Sequence, residues 1–449
     1  MKDKQKTAEL IRIAGPAVLE SVVTVVITTI DTKMISGLGK PAISAVALTT
    51  QPKLIIFAIF FALGTTASIL VAQAYGRNDR EEANLYLHTI LKLTIILSVI
   101  LGALMYVLAE PVMLLCNRQE ESLEMSVVFF RIIMLFLIFQ VVSIVINAAL
   151  RGIGKTKITL ISSIVMGVTD IIFNYFLIEG RCGFPRLEVA GDAIATVLGS
   201  AAACIIGLAA LSRKSLFLSM KGFIHGSILK NRERLNTIIS KAGNVVVENI
   251  LMKLGFLFSS IILSGLGADE TAVYSVAMLL MNYSFAMGDG IHSAMVALTG
   301  KNTGAGDHAG MKKYVSIAVR IGAVCSFILS LVYILGAGWF YGLYFSDAPA
   351  IHDGIMMTYI VALITFLQIV RMVFVGAMRG MGDVKDPRNI STICVFLLNP
   401  SMSYLFSQVI MFGIWGIWIA SVITQAAWFV MAAILYKKQL HTVPASKNI

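Results

Sequence analysis

Polar and apolar positions along this chain alternate on a scale of about twenty residues, the length of a bilayer-spanning helix, rather than on the three-to-four-residue scale of a surface helix. Uncharged or nearly uncharged runs rich in Ile, Leu, Val, Phe and Ala lie near 10–36, 52–73, 86–108, 125–149, 158–178, 190–211, 236–263, 272–298, 314–336, 354–377, 389–410 and 414–436. Such runs are far longer than the alternating strands of about 9–11 residues in an outer-membrane barrel. The pattern therefore predicts an all-α polytopic membrane protein with twelve transmembrane helices. The first run is too long for a signal peptide and lacks a small-residue cleavage pattern, so it is expected to remain as the first span.

Composition leaves little chain for anything else. Of 449 residues, 57% belong to the AVILMFWYC set and 14% are charged, against about 45–50% and 25% in a soluble domain. A net charge of +11 would suggest a nucleic-acid partner in a soluble protein, but here the basic residues collect in alternate loops. With a cytoplasmic N-terminus, the inner segments hold Lys2, Lys4, Lys6, Arg12, Arg77, Arg80, Arg151, Lys155, Lys157, Arg213, Lys214, Lys221, Lys230, Arg232 and Arg234. They continue with Lys301, Lys312, Lys313, Arg379, Lys385, Arg388, Lys437, Lys438 and Lys447, whereas the outer segments hold only Lys40, Arg118, Arg181 and Arg186. The positive-inside bias places both termini in the cytoplasm, with the protein in the cell (inner) membrane. Cysteines at 116, 182, 204, 325 and 394 form no CxxC, so neither a zinc site nor a disulfide framework is expected. Cys116 and Cys182 both fall in outer loops, and spacing leaves an isolated bond between them open.

The longest polar stretch between spans, about 212–235, lies near the chain midpoint, and the two halves repeat. Ala14-Gly15 recurs as Ala242-Gly243, Glu20 as Glu248, Ser36-Gly-Leu-Gly39 as Ser264-Gly-Leu-Gly267, and Arg151-Gly-Ile-Gly154 as Arg379-Gly-Met-Gly382, all at an offset of 228. Phe61-Ala-Leu-Gly64 recurs as Phe285-Ala-Met-Gly288 at an offset of 224. Each half holds six spans, an even number, so the repeat is parallel. The expected organisation is an N-lobe over 1–212, a cytoplasmic linker over 213–235 and a C-lobe over 236–449. Two lobes related by an axis along the membrane normal enclose a cleft that rocking opens to each side in turn, which is transporter architecture.

An ionisable residue inside a span costs roughly 2.5–3.5 kcal/mol on insertion scales and needs a partner, a watery cavity or a task. The acidic ones are Glu20 and Asp31 in span 1, Asp170 in span 5, Glu248 in span 7 and Asp289 in span 8. Glu20 and Asp31 are eleven residues apart, which places them on one helix face about 16 Å apart along the axis. Lys33 points away from Asp31, so Asp31 is expected to find its partner on another helix or to carry a proton or cation. Lys53, Lys92, Lys241 and Arg320 sit near span ends, where a long stem can snorkel. Arg131, Lys253 and Arg371 lie deeper and could pair with carboxylates. Asp289 and His292, at i and i+3, suggest either a proton relay or a hydrogen-bonded pair between helices. His88, His225, His308, His352 and His441 read as solvated surface. The loops at Arg151 and Arg379 do not match a P-loop and follow no strand, so they read as helix stops with inner-face basic anchors. Energy is then expected from an ion gradient.

At these residues the chain resembles the multidrug and toxic compound extrusion (MATE) antiporters over nearly its whole length. The resemblance rests on Pro16 followed by Asp31-Thr32 and Gly37-Leu-Gly39, on Gln73-Ala-Tyr-Gly76, on Arg151-Gly-Ile-Gly154-Lys-Thr, and on Gly191-Asp-Ala-Ile-Ala-Thr196. It implies a twelve-helix, two-lobed exporter in which entry of H⁺ or Na⁺ drives efflux of amphipathic, often cationic compounds, with Asp31 central to coupling. With the ionisable groups inside spans, the candidate coupling and substrate-binding residues are Asp31, Asp170, Asn174, Thr196, Glu20 and Glu248, and no catalytic residue or metal is expected. Departures are informative. Many members carry Asn and then Asp one turn later in span 5, whereas here Asp170 precedes Asn174. A tyrosine of some relatives is Ile27, and a span 7 glutamate of some relatives is Met252. At the repeat offset Asp31 becomes Ser259, Asp170 becomes Leu398 and Asn174 becomes Met402, so these polar groups belong to the N-lobe alone. Glu20 and Glu248 occur in both halves and fit either an architectural role, for example pairing with Lys241 or Lys253, or a functional one.

The absent C-lobe glutamate removes one familiar cation site, and a carboxylate in an apolar cavity favours its protonated form, so H⁺ is expected over Na⁺. Expected partners are small-molecule substrates and the lipid bilayer, with no nucleic acid, no nucleotide and no cofactor beyond the coupling cation, and the chain is expected to act as a monomer. A flippase for lipid-linked saccharides, from the related superfamily, would line its cleft with cations, and an intramembrane enzyme would need a convergent nucleophile or metal cluster that the spacing does not supply.

Overall fold

The computed structural model describes residues 2–116, 120–223 and 232–442; Arg118, the linker residues 224–231 with His225 and Lys230, and the tail with Lys447 lie outside the described residues. Every described element is helical, as lipid demands of a chain that must satisfy its own backbone groups. In order they are α1 (Lys2–Ser36), α2 (Lys40–Gly76), α3 (Arg80–Val107), α4 (Ala109–Cys116), α5 (Glu120–Leu135), α6 (Leu137–Gly152), α7 (Thr156–Leu177) and α8 (Glu188–Leu211). The second half holds α9 (Arg232–Ser264), α10 (Ala268–Gly304), α11 (His308–Gly342), α12 (Ala348–Gly380), α13 (Lys385–Ser391), α14 (Asn399–Tyr404) and α15 (Gly413–Thr442).

Among the described residues, ten helical segments are long and apolar enough to cross a bilayer, and α5 with α6 makes one further crossing, bent by 54° at Phe136. α10, 37 residues long, stands where the eighth span is expected, its apolar character diluted by Asn282, Asp289, His292 and Asn302. Helical segments thus stand at all twelve expected positions. Several run past the apolar run that announced them. α2 begins at Lys40 rather than near 52, because Gly39, at φ 97°, turns the chain and Pro41 is preset for a first helical turn. The eleventh crossing is irregular: wide π turns occupy Thr392–Leu398 and Leu405–Val409 on either side of α14, which contains Pro400.

Helix ends carry the repeat into three dimensions. α10 begins and ends 228 residues after α2, and α11 begins 228 residues after α3. Asp79 accepts from the Glu82 N–H at 2.9 Å to cap α3, and Asp307 accepts from the Gly310 N–H at 2.7 Å to cap α11. A side chain at Gly152 would lie 2.6 Å from the Ser68 carbonyl oxygen, and one at Gly380 would lie 2.8 Å from that of Val296. The same close helix approach therefore recurs in each half.

The chain divides into two compact units, Leu19–Val246 and Met1–Val18 with Val247–Ile449. The N-terminal unit is centred on Phe60, Leu87, Ile90, Phe130 and Ile133, all fully buried, and Ile238 and Ala242 of α9 belong to its core. The C-terminal unit has one cluster around Met295, Val373 and Trp428, joined by Leu10 and Ile13 of α1, and a second around Tyr341 and Trp418. After α8 the chain lies as a strap along α3. Arg80 Nη2 donates to the Leu216 carbonyl at 2.7 Å, and the Ser219 N–H donates to Asn84 at 2.7 Å. This corrects one expectation: His88 is buried, its Nε2 2.7 Å from the Ser219 carbonyl and its ring edge-on to Phe223, because the strap covers it. Cys116 and Cys182 are both free thiols.

Candidate ion-coupling site

Within the N-terminal unit, α7 and α8 are in closest approach where glycines leave room. A Cβ on Gly199 would stand 2.6 Å from the Met166 carbonyl oxygen, and one on Gly191 would stand 2.7 Å from that of Leu177. Small residues let membrane helices approach backbone to backbone. The consequence is that Asp170 and Asn174, one turn apart on α7, meet Asp192 and Thr196, one turn apart on α8. The Asp170 carboxyl and the Thr196 hydroxyl are within hydrogen-bond reach. Asn174 donates through Nδ2 to Asp31 Oδ1 of α1 at 2.6 Å, and the Asp31 and Asp192 carboxyls are themselves within hydrogen-bond reach.

Three carboxyl groups from three helices therefore share one buried neighbourhood. Asp170 is 7% exposed and Asp192 1%, and each leaves one oxygen, Oδ1, without a hydrogen-bond partner. Lys53 of α2 supplies a positive charge to all three. With every group ionised the neighbourhood would hold three negative charges against one positive, an arrangement that burial makes costly. Two carboxyls as near as Asp31 and Asp192 repel when both are ionised, and a hydrogen bond between them would need a proton on one, since an ionised carboxylate only accepts. The geometry can hold and release protons.

The two repeated glutamates occupy a different setting. Glu20 Oε1 accepts from Arg151 Nη1 at 2.8 Å and from Ser163 at 3.3 Å, while Oε2 accepts from Thr159 at 2.5 Å. Glu248 Oε2 accepts from Arg379 Nη2 at 2.7 Å and Oε1 from Ser391 at 2.7 Å. Glu20, Arg151 and Ser163 map onto Glu248, Arg379 and Ser391 at the 228 offset. The Arg-Gly-X-Gly loops stop their helices at Gly154 and Gly382, both at positive φ. Their arginines, however, turn inward to neutralise a buried carboxylate instead of anchoring the inner membrane face.

A family model named MatE matches residues 16–176 and 245–405, one copy on each half. The chain belongs to the MatE family. It is a multi-pass membrane protein of that family. It is 24% identical over 418 residues to a probable multidrug resistance protein, NorM, of Thermotoga maritima, covering 92% of this chain and 88% of that one. It is 22% identical over 444 residues to an uncharacterized transporter, YisQ, of Bacillus subtilis, covering 97% and 95%. Among solved structures, an outward-facing multidrug resistance MATE family transporter of the MOP superfamily shares the fold at a TM-score of 0.90 and 18% identity, over 99% of this chain and 97% of that one.

Seen on the MatE fold, the sequence-derived site residues divide. Asp31, Asp170, Asn174 and Thr196 come together, while Glu20 and Glu248 each stand in their own arginine pair. The expectation of one continuous acidic face on α1 is corrected, because Arg151 neutralises Glu20 and leaves Asp31 as the acidic group of that face. Glu248 takes its bonds from Arg379 and Ser391, not from Lys253. His292 Nδ1 lies 4.0 Å from Asp289, too far for a hydrogen bond, while its Nε2 accepts from Arg379 of α12 at 3.3 Å. The bond between helices is therefore the one formed. At the position repeating Asp31, Ser259 donates to Asn399 at 2.8 Å, a neutral pair in place of the acids.

Two members of the site escape a sequence reading. Asp192 opens the sixth span, where a carboxylate reads as a solvated first-turn residue; the available signal was its place in Gly191-Asp-Ala-Ile-Ala-Thr196. Lys53 reads as a snorkelling lysine, but Pro52 and the early start of α2 carry it inside the helix, where it serves the three carboxyls. Arg131 meets Glu110 only at 3.9 Å, and Arg371 pairs with no carboxylate among the described residues.

Proposed function

We propose that this MatE-family protein is a secondary antiporter in which protons, rather than sodium ions, enter through the N-terminal unit and drive efflux of amphipathic small molecules, cationic ones included, by alternating access. The observation that carries the reading is the Asp31–Asp170–Asp192 cluster with its single lysine, Asp31 half-buried and the other two acids buried. Such a group of acids changes charge by taking up protons, and it is confined to one half of a repeated fold. The multidrug resistance name of the Thermotoga maritima relative supports export as the direction. Sodium favours several converging oxygen ligands with their charge retained, whereas here carboxyls stand within reach of one another, where a shared proton relieves their mutual repulsion.

In proteoliposomes holding the purified chain, ethidium movement is expected to follow an imposed pH gradient and to ignore a sodium gradient at constant pH. Movement that tracks sodium and is indifferent to pH would overturn the proton assignment while leaving antiport intact. Orientation has its own test. A cysteine replacing Ser227, in a background without native cysteines, is expected to react with an impermeant maleimide only in inverted vesicles; labelling of intact cells from outside would reverse the topology.

A further inference from the structure

The interior of the C-terminal unit has the opposite polarity. Arg371 of α12 is 3% exposed, and its guanidinium carbon lies 3.4 Å from the centroid of the Trp428 ring on α15. Stacking occupies a face of the guanidinium and leaves the in-plane N–H groups free to donate. Nε is buried without an acceptor, and Arg371 forms no ion pair among the described residues. Glu248 attracts it through space, but both oxygens of that carboxylate are already taken by Arg379 and Ser391. Arg371 and Arg379 against Glu248 leave one uncompensated positive charge.

The surrounding groups are also unsatisfied. Gln368, one turn before Arg371 on the same face of α12, is 0% exposed with both amide atoms unpartnered. On α15, Trp428 Nε1, Gln425 Oε1 and Thr424 Oγ1 are likewise without partners. Cys394, in the π turn of the eleventh crossing, is a further neighbour of Arg371, and such turns are frequent at functional sites. Ordered water can satisfy a neutral amide. A guanidinium held away from water needs a counter-charge.

We infer that Arg371 and Gln368, backed by Trp428, form a binding station for an oxyanion, a carboxylate or phosphate group carried by the transported compound. The in-plane guanidinium N–H groups match two oxygens of such a group side by side. The Gln368 amide can donate to one of those oxygens and accept from a neighbouring N–H or O–H of the same ligand. The substrates of this protein therefore include aromatic or amphipathic anions and zwitterions. The inference rests on the transport reading above for what the ligand is, and on the C-terminal unit alone for where it binds.

The test measures binding without any ion gradient. Fluorescein, a carboxylate-bearing aromatic anion, and ethidium, a cation, are titrated by fluorescence anisotropy against the purified full chain in detergent. Arg371→Gln is expected to weaken fluorescein binding at least about tenfold, the worth of one charge-assisted hydrogen bond, with ethidium affinity unchanged. Arg371→Lys, which keeps the charge but loses the fork, is expected to fall between, and Gln368→Met to weaken fluorescein by about threefold. These two variants carry the test if Arg371→Gln does not fold. Equal fluorescein affinity in wild type and variants overturns the station. So does native mass spectrometry in which Arg371→Gln loses a co-purified phosphatidylglycerol while fluorescein affinity stays the same, since the oxyanion then belongs to a lipid headgroup. An Asp31→Asn protein that binds fluorescein normally and fails to transport would separate a failure of coupling from a failure of this site.

Discussion

Asp31→Asn protein is expected to purify as a monodisperse species with wild-type helicity and to lose gradient-driven efflux down to the level of protein-free liposomes. The substitution keeps shape and hydrogen-bonding capacity, so Asn174 retains an acceptor at the position now 2.6 Å from Asp31 Oδ1. What disappears is a titratable group in contact with both neighbouring helices. Asp170→Asn is expected to reduce efflux less, because Asp31 and Asp192 can still share a proton. Wild-type efflux by a monodisperse Asp31→Asn protein under the same gradient would sink the N-terminal coupling site, and the Glu248–Arg379–His292 group would become the next place to look.

The largest effect on stability is expected from Arg379→Met. Glu248 is 2% exposed, and removing its arginine leaves a buried carboxylate with Ser391 as its remaining hydrogen-bond donor among the described residues. Breaking a buried pair from one side costs about 3–5 kcal/mol, mostly the penalty of the stranded charge. The Glu248→Gln/Arg379→Met double variant is expected to recover most of the loss, since the carboxylate and the guanidinium of the pair are then removed together. Arg151→Met is expected to cost less. In that pair the side chains are 25% and 10% exposed, against 13% and 3% for Arg379 and Glu248, and Thr159 and Ser163 both remain to hold Glu20. Denaturant or thermal unfolding of the three proteins in one detergent checks the order, and a double variant no more stable than Arg379→Met would refute the stranded-charge account.

Particular residues show where a linear reading reaches and where it stops. The crossings, the internal repeat and the arginine loops were open to it because each is written locally. A bilayer needs about twenty apolar residues in a row, and caps such as Asp79 and Asp307 act within one turn. The 228-residue displacement found between Glu20 and Glu248 is the same one that separates the two unit boundaries, Val18/Leu19 and Val246/Val247. Asp31, Asp170 and Asn174 stood out for the same reason, as polar groups inside runs that lipid would otherwise exclude.

Partnership was decided only by the tertiary structure. Glu20 takes its charge partner from Arg151, 131 residues away, and Glu248 finds Arg379 at the same separation. No local spacing announces either bond, because a buried carboxylate is neutralised by whichever cation helix packing brings within a few ångströms. Asp192 and Lys53 sit where hydropathy reads a span end, and their membership of the acidic cluster follows from the close approach that Gly191 and Gly199 permit. Arg371 could be read as deep in its span, but its stacking on Trp428 and its lack of a carboxylate depend on how α12 and α15 meet. Hydropathy is a property of a segment and survives in the sequence; electrostatic pairing is a property of a neighbourhood, and that exists only after the helices have packed.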